Sequence, residues 1–191
     1  MRAIPNEYII ADQLFHYDPN FNVQRFLIDR GSFLATYRVT DPADNKDYNV
    51  ASLINKYCSD PKNNVSQKWV LVCLQREQSL ISQKTIPTDI HRLDWAMGYG
   101  YLEEVPLIMF KYQGFTNQII NAIPRSRELF NQFINPVSVI MDMESWLIPN
   151  KFTWLQCQYT PHITTSIIVN AEIWANYWAD DMPNFKKKVH S

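Results

Sequence analysis

Apolar positions along this chain fall into short blocks of helical period, separated by Pro, Gly, Asn and Asp. The densest block runs from Trp69 to Ile81. At 3.6 residues per turn, Trp69, Val70, Cys73, Leu74, Leu80 and Ile81 fall within roughly 80° of one direction, and Glu77 points the same way. Lys68, Gln75, Arg76, Gln78, Ser79, Ser82 and Gln83 take the other side. The pattern predicts a long buried helix, capped by Asn64 or Ser66, with one carboxylate on its core face.

Shorter blocks surround it. Val23, Phe26 and Leu27 mark a helix within Phe21–Leu34, opened by Asn22 and closed by Gly31. Val39–Tyr48 is polar, with a turn at Asp41-Pro42. Val50, Leu53, Ile54 and Tyr57 predict a helix over Val50–Cys58, stopped by Asp60-Pro61. Thr85–Asp94 has little period. Phe115–Phe130 is helical again through Ile119, Ile120 and Ile123, with Pro124 expected to kink or break it. Over Val137–Trp146, Met141, Met143 and Trp146 alternate with Asp142, Glu144 and Ser145, which predicts a small hairpin. Two further helices are expected over Phe152–Tyr159 and Ala171–Ala179. Residues 1–20 are expected to be an extended arm, and 180–191 a solvated tail, around one domain spanning 1–191.

Composition narrows the partner classes. The 191 residues are 46% hydrophobic and 19% charged, so the chain is globular rather than disordered. A net charge of −1 with no basic stripe argues against nucleic acid. No run approaches the ~18 apolar residues of a membrane span, and Met1–Leu14 does not read as a secretory signal, so a soluble chain is expected. His16, His91, His162 and His190 lack metal-ligand spacing, and no HExxH is present; neither a metal nor another cofactor is expected. Of Cys58, Cys73 and Cys157, only Cys58 with Cys157 is open to bridging. Cys73 lies on the apolar helix face, a poor setting for a nucleophile paired with His162.

Two features carry candidate chemistry. A Glu on an apolar face needs a partner or must keep its proton, so Glu77 is either a paired structural carboxylate or an acid with a raised pKa. Three of the four glycines stand at Gly98, Gly100 and Gly114, and scarce glycine in a cluster marks tight turns or close backbone approach. Trp95, Tyr99, Tyr101 and Tyr112 around them can stack on sugar rings or fill a core.

Four segments in order carry a resemblance: LQREQSL (74–80), AMGYG (96–100), YQGFTNQ (112–118) and YTPH (159–162), with NVQRFLIDRGSFLATY (22–37) ahead of them. Together they resemble bacterial and phage-borne cell-wall proteins of the lysozyme-like superfamily, near the soluble lytic transglycosylases and glucosaminidase-type domains, over about residues 21–178. The resemblance implies a mainly α, α+β lysozyme-like fold: helices around a long buried helix, with a small β element beside a cleft. It implies cleavage of peptidoglycan glycan strands at the cell wall, extracytoplasmic or virion-associated, with Glu77 as the general acid. Met97, Gly98, Tyr99 and Gly100 match the loop walling the cleft. Tyr112 and Gln118 match cleft-lining positions, Tyr101 follows the loop, and Tyr159 and His162 match a further motif of the family. Where the family continues into a Cys-containing insertion, this chain has Tyr101-Leu-Glu-Glu104. A general acid must hold its proton near neutral pH, which an apolar setting favours, as lysozyme's acid illustrates. A second carboxylate, where one is used, would be Asp94 first, then Glu103 or Glu104, then Asp89. The competing expectation is a non-cleaving glycan-binding or structural module.

Overall fold

The computed structural model describes residues 1–101, 110–134 and 136–186. They form an α+β arrangement dominated by helices, with two small sheets. The chain groups into two compact units, residues 16–127 and residues 1–15 with 128 onward.

The chain opens with a two-residue strand, β1 (Arg2–Ala3), and then short 3-10 turns at Asn6–Tyr8 and Asp12–Phe15. This segment, expected as an extended arm, instead buries Ile4, Ile10 and Phe15. Phe15 stacks on Phe130 at 4.3 Å and meets Phe152 edge-on at 5.1 Å. Three apolar side chains in fifteen residues are enough to hold a stretch with no period of its own.

Residues 16–127 begin with α1 (Val23–Asp29), whose Asn22 cap accepts from the Arg25 N–H; Gly31 takes φ +60° just past its end. The polar stretch that follows is a hairpin, β2 (Arg38–Asp41) and β3 (Lys46–Asn49), with Arg38 paired to Asn49 and Asp41 to Lys46. Asn49 then caps α2 (Val50–Cys58). Next come α3 (Gln67–Gln78), capped by Ser66, and α4 (Ile90–Asp94), capped by Asp89. Helix α5 (Phe115–Gln132) runs on through Pro124, so of the kink or break expected there the break does not occur. Its Ser126 hydroxyl accepts from the Trp69 indole at 3.0 Å and donates to the Ala122 carbonyl, tying α3 to α5.

Helix α3 departs from the two-faced pattern. Every residue from Trp69 to Leu74 is buried, including Leu71 and Val72, which lie outside the apolar stripe. A helix apolar all round is a central helix, packed on every side. It also ends earlier than expected. Ser79 adopts φ +54°, its N–H returns to the Gln75 carbonyl, and the Leu80 N–H returns to Leu74. Leu80 and Ile81 are buried by that reversal rather than as helix residues.

In the other unit, β4 (Val137–Met141) and β5 (Glu144–Ile148) form a hairpin whose two turn residues, Asp142 and Met143, both have positive φ. That backbone suits the right-handed twist of a two-residue hairpin. Strand β1 pairs parallel to β5, giving the order β1-β5-β4. Met141, Trp146 and Ile148 face the core, whereas Met143, expected with them, is 95% exposed at the turn. Helix α6 (Lys151–Tyr159) starts at an Asn150 cap, and a π-helical stretch over Ile163–Ile168 leads into α7 (Val169–Tyr177). Beyond it, Met182 is buried. Among the described residues no helix is long and apolar enough to cross a membrane.

Candidate functional site

Glu77 sits in the last turn of α3, where packing gives way to solvent. Its side chain is 27% exposed, whereas that of Arg76, assigned by pattern to the polar face, is only 4% exposed. The arginine turns back, with Nε 2.8 Å and Nη2 2.7 Å from the same oxygen, Glu77 Oε1. Its guanidinium carbon lies 5.9 Å from the Trp69 ring centre. So the carboxylate expected among apolar side chains has a cation beside it, the compensation a charge near a core needs. Arg76 and Trp69 are seven residues apart, two helical turns, and that spacing was the available signal that Arg76 belongs to the packed side.

The other oxygen is used differently. Oε2 accepts no hydrogen bond from the described protein, and Gly98 is laid against it: a Cβ on Gly98 would stand 2.6 Å from Oε2 and 2.7 Å from the carboxyl carbon. Gly98 also has φ +63°. Only glycine meets both demands without strain.

The loop carrying Gly98 is held by one side chain. Gln118, in the first turn of α5, accepts from Met97 N–H (3.2 Å) and Tyr99 N–H (2.9 Å) and donates to the carbonyls of Tyr99 and Tyr112, both at 2.8 Å. That uses the full capacity of a primary amide. Gln118 is fully buried, and so is Met97. Both were expected on a cleft wall; they instead shape the loop from behind, because the backbone groups of a tight loop must be satisfied before a substrate is.

Three tyrosines remain within reach of solvent. Tyr99 and Tyr112 are half-buried and meet edge-to-face at 4.9 Å. Gly100, at φ +69°, leaves room for the Tyr112 ring. Tyr101 is exposed and stands edge-on to Trp95 (5.2 Å) and His91 (5.6 Å).

The candidate second carboxylates have other employment. Asp94 accepts from the Gln113 amide at 2.8 Å, and its carbonyl accepts from Gly114 N–H, fastening the end of α4 to the start of α5. Asp89 caps α4 through the His91 N–H. Glu103 and Glu104 lie outside the described residues. Arg92 donates to the Gln78 carbonyl at the exposed end of α3, a favourable place for a cation. Beside Gly114, a groove of about 400 Å³ opens between Tyr37–Thr40 and Phe115–Asn117.

Tyr159 and His162 belong to the other unit. The His162 ring nitrogen Nδ1 lies 2.8 Å from Asp142 Oδ1, and the other Asp142 oxygen accepts from Ile163 N–H. This contact pins the hairpin turn to the π-helical stretch, a structural task for a residue expected at a substrate. The thiols are free and buried. Burial pushes Cys73 up to about 12, which removes it as a nucleophile. Among the described residues, no group of three or more His, Cys, Asp or Glu could hold a metal ion.

Comparison with protein-family models, with curated proteins and with solved structures returned no match for this chain.

Proposed function

We propose that this protein is a peptidoglycan-cleaving glycosidase, lysozyme-like in fold, with Glu77 as its acid and base. The observation that carries this reading is the division of labour between the carboxylate oxygens. Oε1 is held by Arg76, while Oε2 accepts no hydrogen bond from the described residues and is faced by bare Gly98 backbone, with Tyr99, Tyr101 and Tyr112 on neighbouring segments. A general acid must bring its proton within hydrogen-bond reach of the leaving oxygen, and the oxygen that Arg76 does not hold is the one that could do so. A proton on Oε2 would pass to the glycosidic oxygen as the bond to the anomeric carbon breaks. The resulting carboxylate would then take a proton from water, giving hydrolysis, or from the sugar's own hydroxyl, giving an anhydro product. The tyrosines are the sugar platform, and Asp94 positions α4 rather than taking part in bond cleavage. The site of action is the bacterial cell wall.

Purified peptidoglycan incubated with the protein should release muropeptides detectable by mass spectrometry, and Glu77→Gln should abolish release while the variant still binds the polymer. Release that survives in Glu77→Gln overturns the assignment.

The ion pair itself favours one second reading. A carboxylate held by a buried arginine also suits a glycan-binding module that no longer cleaves. That reading expects saturable binding to peptidoglycan by the unaltered protein, with neither new reducing ends nor anhydro sugar.

A further inference from the structure

The candidate site draws on two elements that need a common frame. Glu77 lies in the last turn of α3, Tyr112 stands ahead of α5, and the stretch Met97–Gly100 touches both. A Cβ on Gly98 would strike the Glu77 carboxyl, and one on Gly100 would strike the Tyr112 ring. The residues that alternate with these glycines are bonded from behind. Met97 N–H and Tyr99 N–H donate to Gln118 Oε1 at 3.2 and 2.9 Å, and Gln118 Nε2 donates to the carbonyls of Tyr99 and Tyr112, both at 2.8 Å.

Each half of the amide has its own task. The oxygen fixes the residues on either side of Gly98, and so decides where that backbone lies against Glu77. The nitrogen joins the backbones of Tyr99 and Tyr112, whose rings meet edge-to-face at 4.9 Å. Helix α5, which carries Gln118, is tied to α3 through Ser126 and Trp69. The amide therefore stands in the frame of the helix that bears Glu77. A methionine in its place would fill much the same volume and leave four backbone groups without these partners. Gln118 is fully buried, and its four bonds leave no donor or acceptor for a ligand.

We propose that Gln118 is the positioning residue of this site. From one buried amide it sets the Gly98 backbone against Glu77 and spaces the Tyr99–Tyr112 pair, so that acid and sugar platform keep one offset. The proposal rests on the catalytic reading above and extends it to a side chain that never touches the sugar. Small misplacements between a reacting group and a bound substrate cost rate steeply, which is what a shared support prevents.

Initial rates on purified peptidoglycan over a range of polymer concentrations separate kcat from KM, and pelleting with the polymer reads binding alone. Gln118→Met keeps the bulk and removes all four bonds; it should lower kcat and raise KM at least tenfold each, and weaken pelleting to match. Gln118→Asn keeps the amide one methylene too short and should fall between. Gly100→Ala acts first on the Tyr112 ring and should raise KM with a much smaller fall in kcat. Circular dichroism and thermal melting give the folded fraction to which each rate is referred. If Gln118→Met does not fold, Gln118→Asn decides by the same split. Gln118 variants with unaltered kcat and KM per folded molecule overturn the proposal, since a purely structural glutamine would change stability alone. So does a loss confined to kcat or to KM, because acid and platform would then not share a support. A chain that binds the polymer without cleaving it overturns the catalytic reading alone; the spacing of the tyrosines then stands only if Gln118→Met still loosens pelleting tenfold. A chain that neither binds nor cleaves overturns both.

Discussion

Two carboxylates in the same unit, Asp41 and Glu77, are each paired with a basic side chain, yet they are built for different ends. Asp41 is fully buried at the end of β2 and accepts from Lys56 at 2.6 Å, from the Tyr57 hydroxyl with both oxygens, and from Ala43 N–H. Lys56 continues to Asp44, and its ammonium sits over the rings of Tyr48 and Tyr57. Burial pushes the Asp41 carboxyl up, but the hydrogen bonds from Lys56, Ala43 and Tyr57 more than reverse this and leave it below its ordinary value. The Tyr48 hydroxyl, with Lys56 behind it, holds Asp44 at about 2. Burial, then Asp41, pushes the Tyr57 hydroxyl up to about 12. Glu77 has one oxygen held and one left open against Gly98. A saturated carboxylate joins a hairpin to a helix. A half-saturated one, packed against glycine backbone, keeps one oxygen without a hydrogen bond from the described residues.

Substitutions should separate the two. Asp41→Ala removes the acceptor of the Tyr57 hydroxyl and the Ala43 N–H and leaves Lys56 with Asp44 and Tyr48, and should cost about 3 kcal/mol in urea unfolding, as expected when one partner of a buried pair is lost. A cost near zero would show that the network contributes little. Gly98→Ala combines a left-handed backbone with a Cβ driven into the Glu77 carboxyl, and should cost about 2 kcal/mol. It should also abolish any wall-cleaving activity by displacing Oε2. A fully active, fully stable Gly98→Ala protein would mean the loop is not shaped around Glu77. Glu77→Gln keeps an oxygen for Arg76 and should change stability by less than about 1 kcal/mol. A loss as large as that of Asp41→Ala would place Glu77 among the structural carboxylates.

The smallest effect is on pH. Asp41 and Asp44 are both lowered in the folded state, so their contribution is complete above the unfolded carboxyl value of about 3.9. It is lost as pH falls from there through about 2, where Asp44 takes its proton. Melting temperature should drop over that window, and the drop should be shallower in Asp44→Asn. Equal slopes in the two proteins would remove Asp44 from the account.

Helices with a cap and a period were legible from residues alone. Asn22 and Ser66 accept the N–H bonds a cap should, and α2 spans the residues its apolar spacing indicates. The turn at Asp41-Pro42 was legible, but the hairpin around it was not, since β2 and β3 alternate too weakly to signal strands. At the candidate site, the tight turns at the clustered glycines were readable. The roles of Met97, Gln118 and His162 were not, because residue type does not reveal whether a polar group faces a substrate or the backbone.

What the sequence by itself determined is local: where helices start and where left-handed glycines fall. These follow from steric limits and hydrogen-bond needs acting within a few residues. The tertiary structure alone decided that Arg76 turns inward onto Glu77, that Gln118 clasps a loop some twenty positions before it, and that β4 is left as an open edge. Each of these depends on which distant segments meet, and pairwise contacts across space leave no fixed period in a chain.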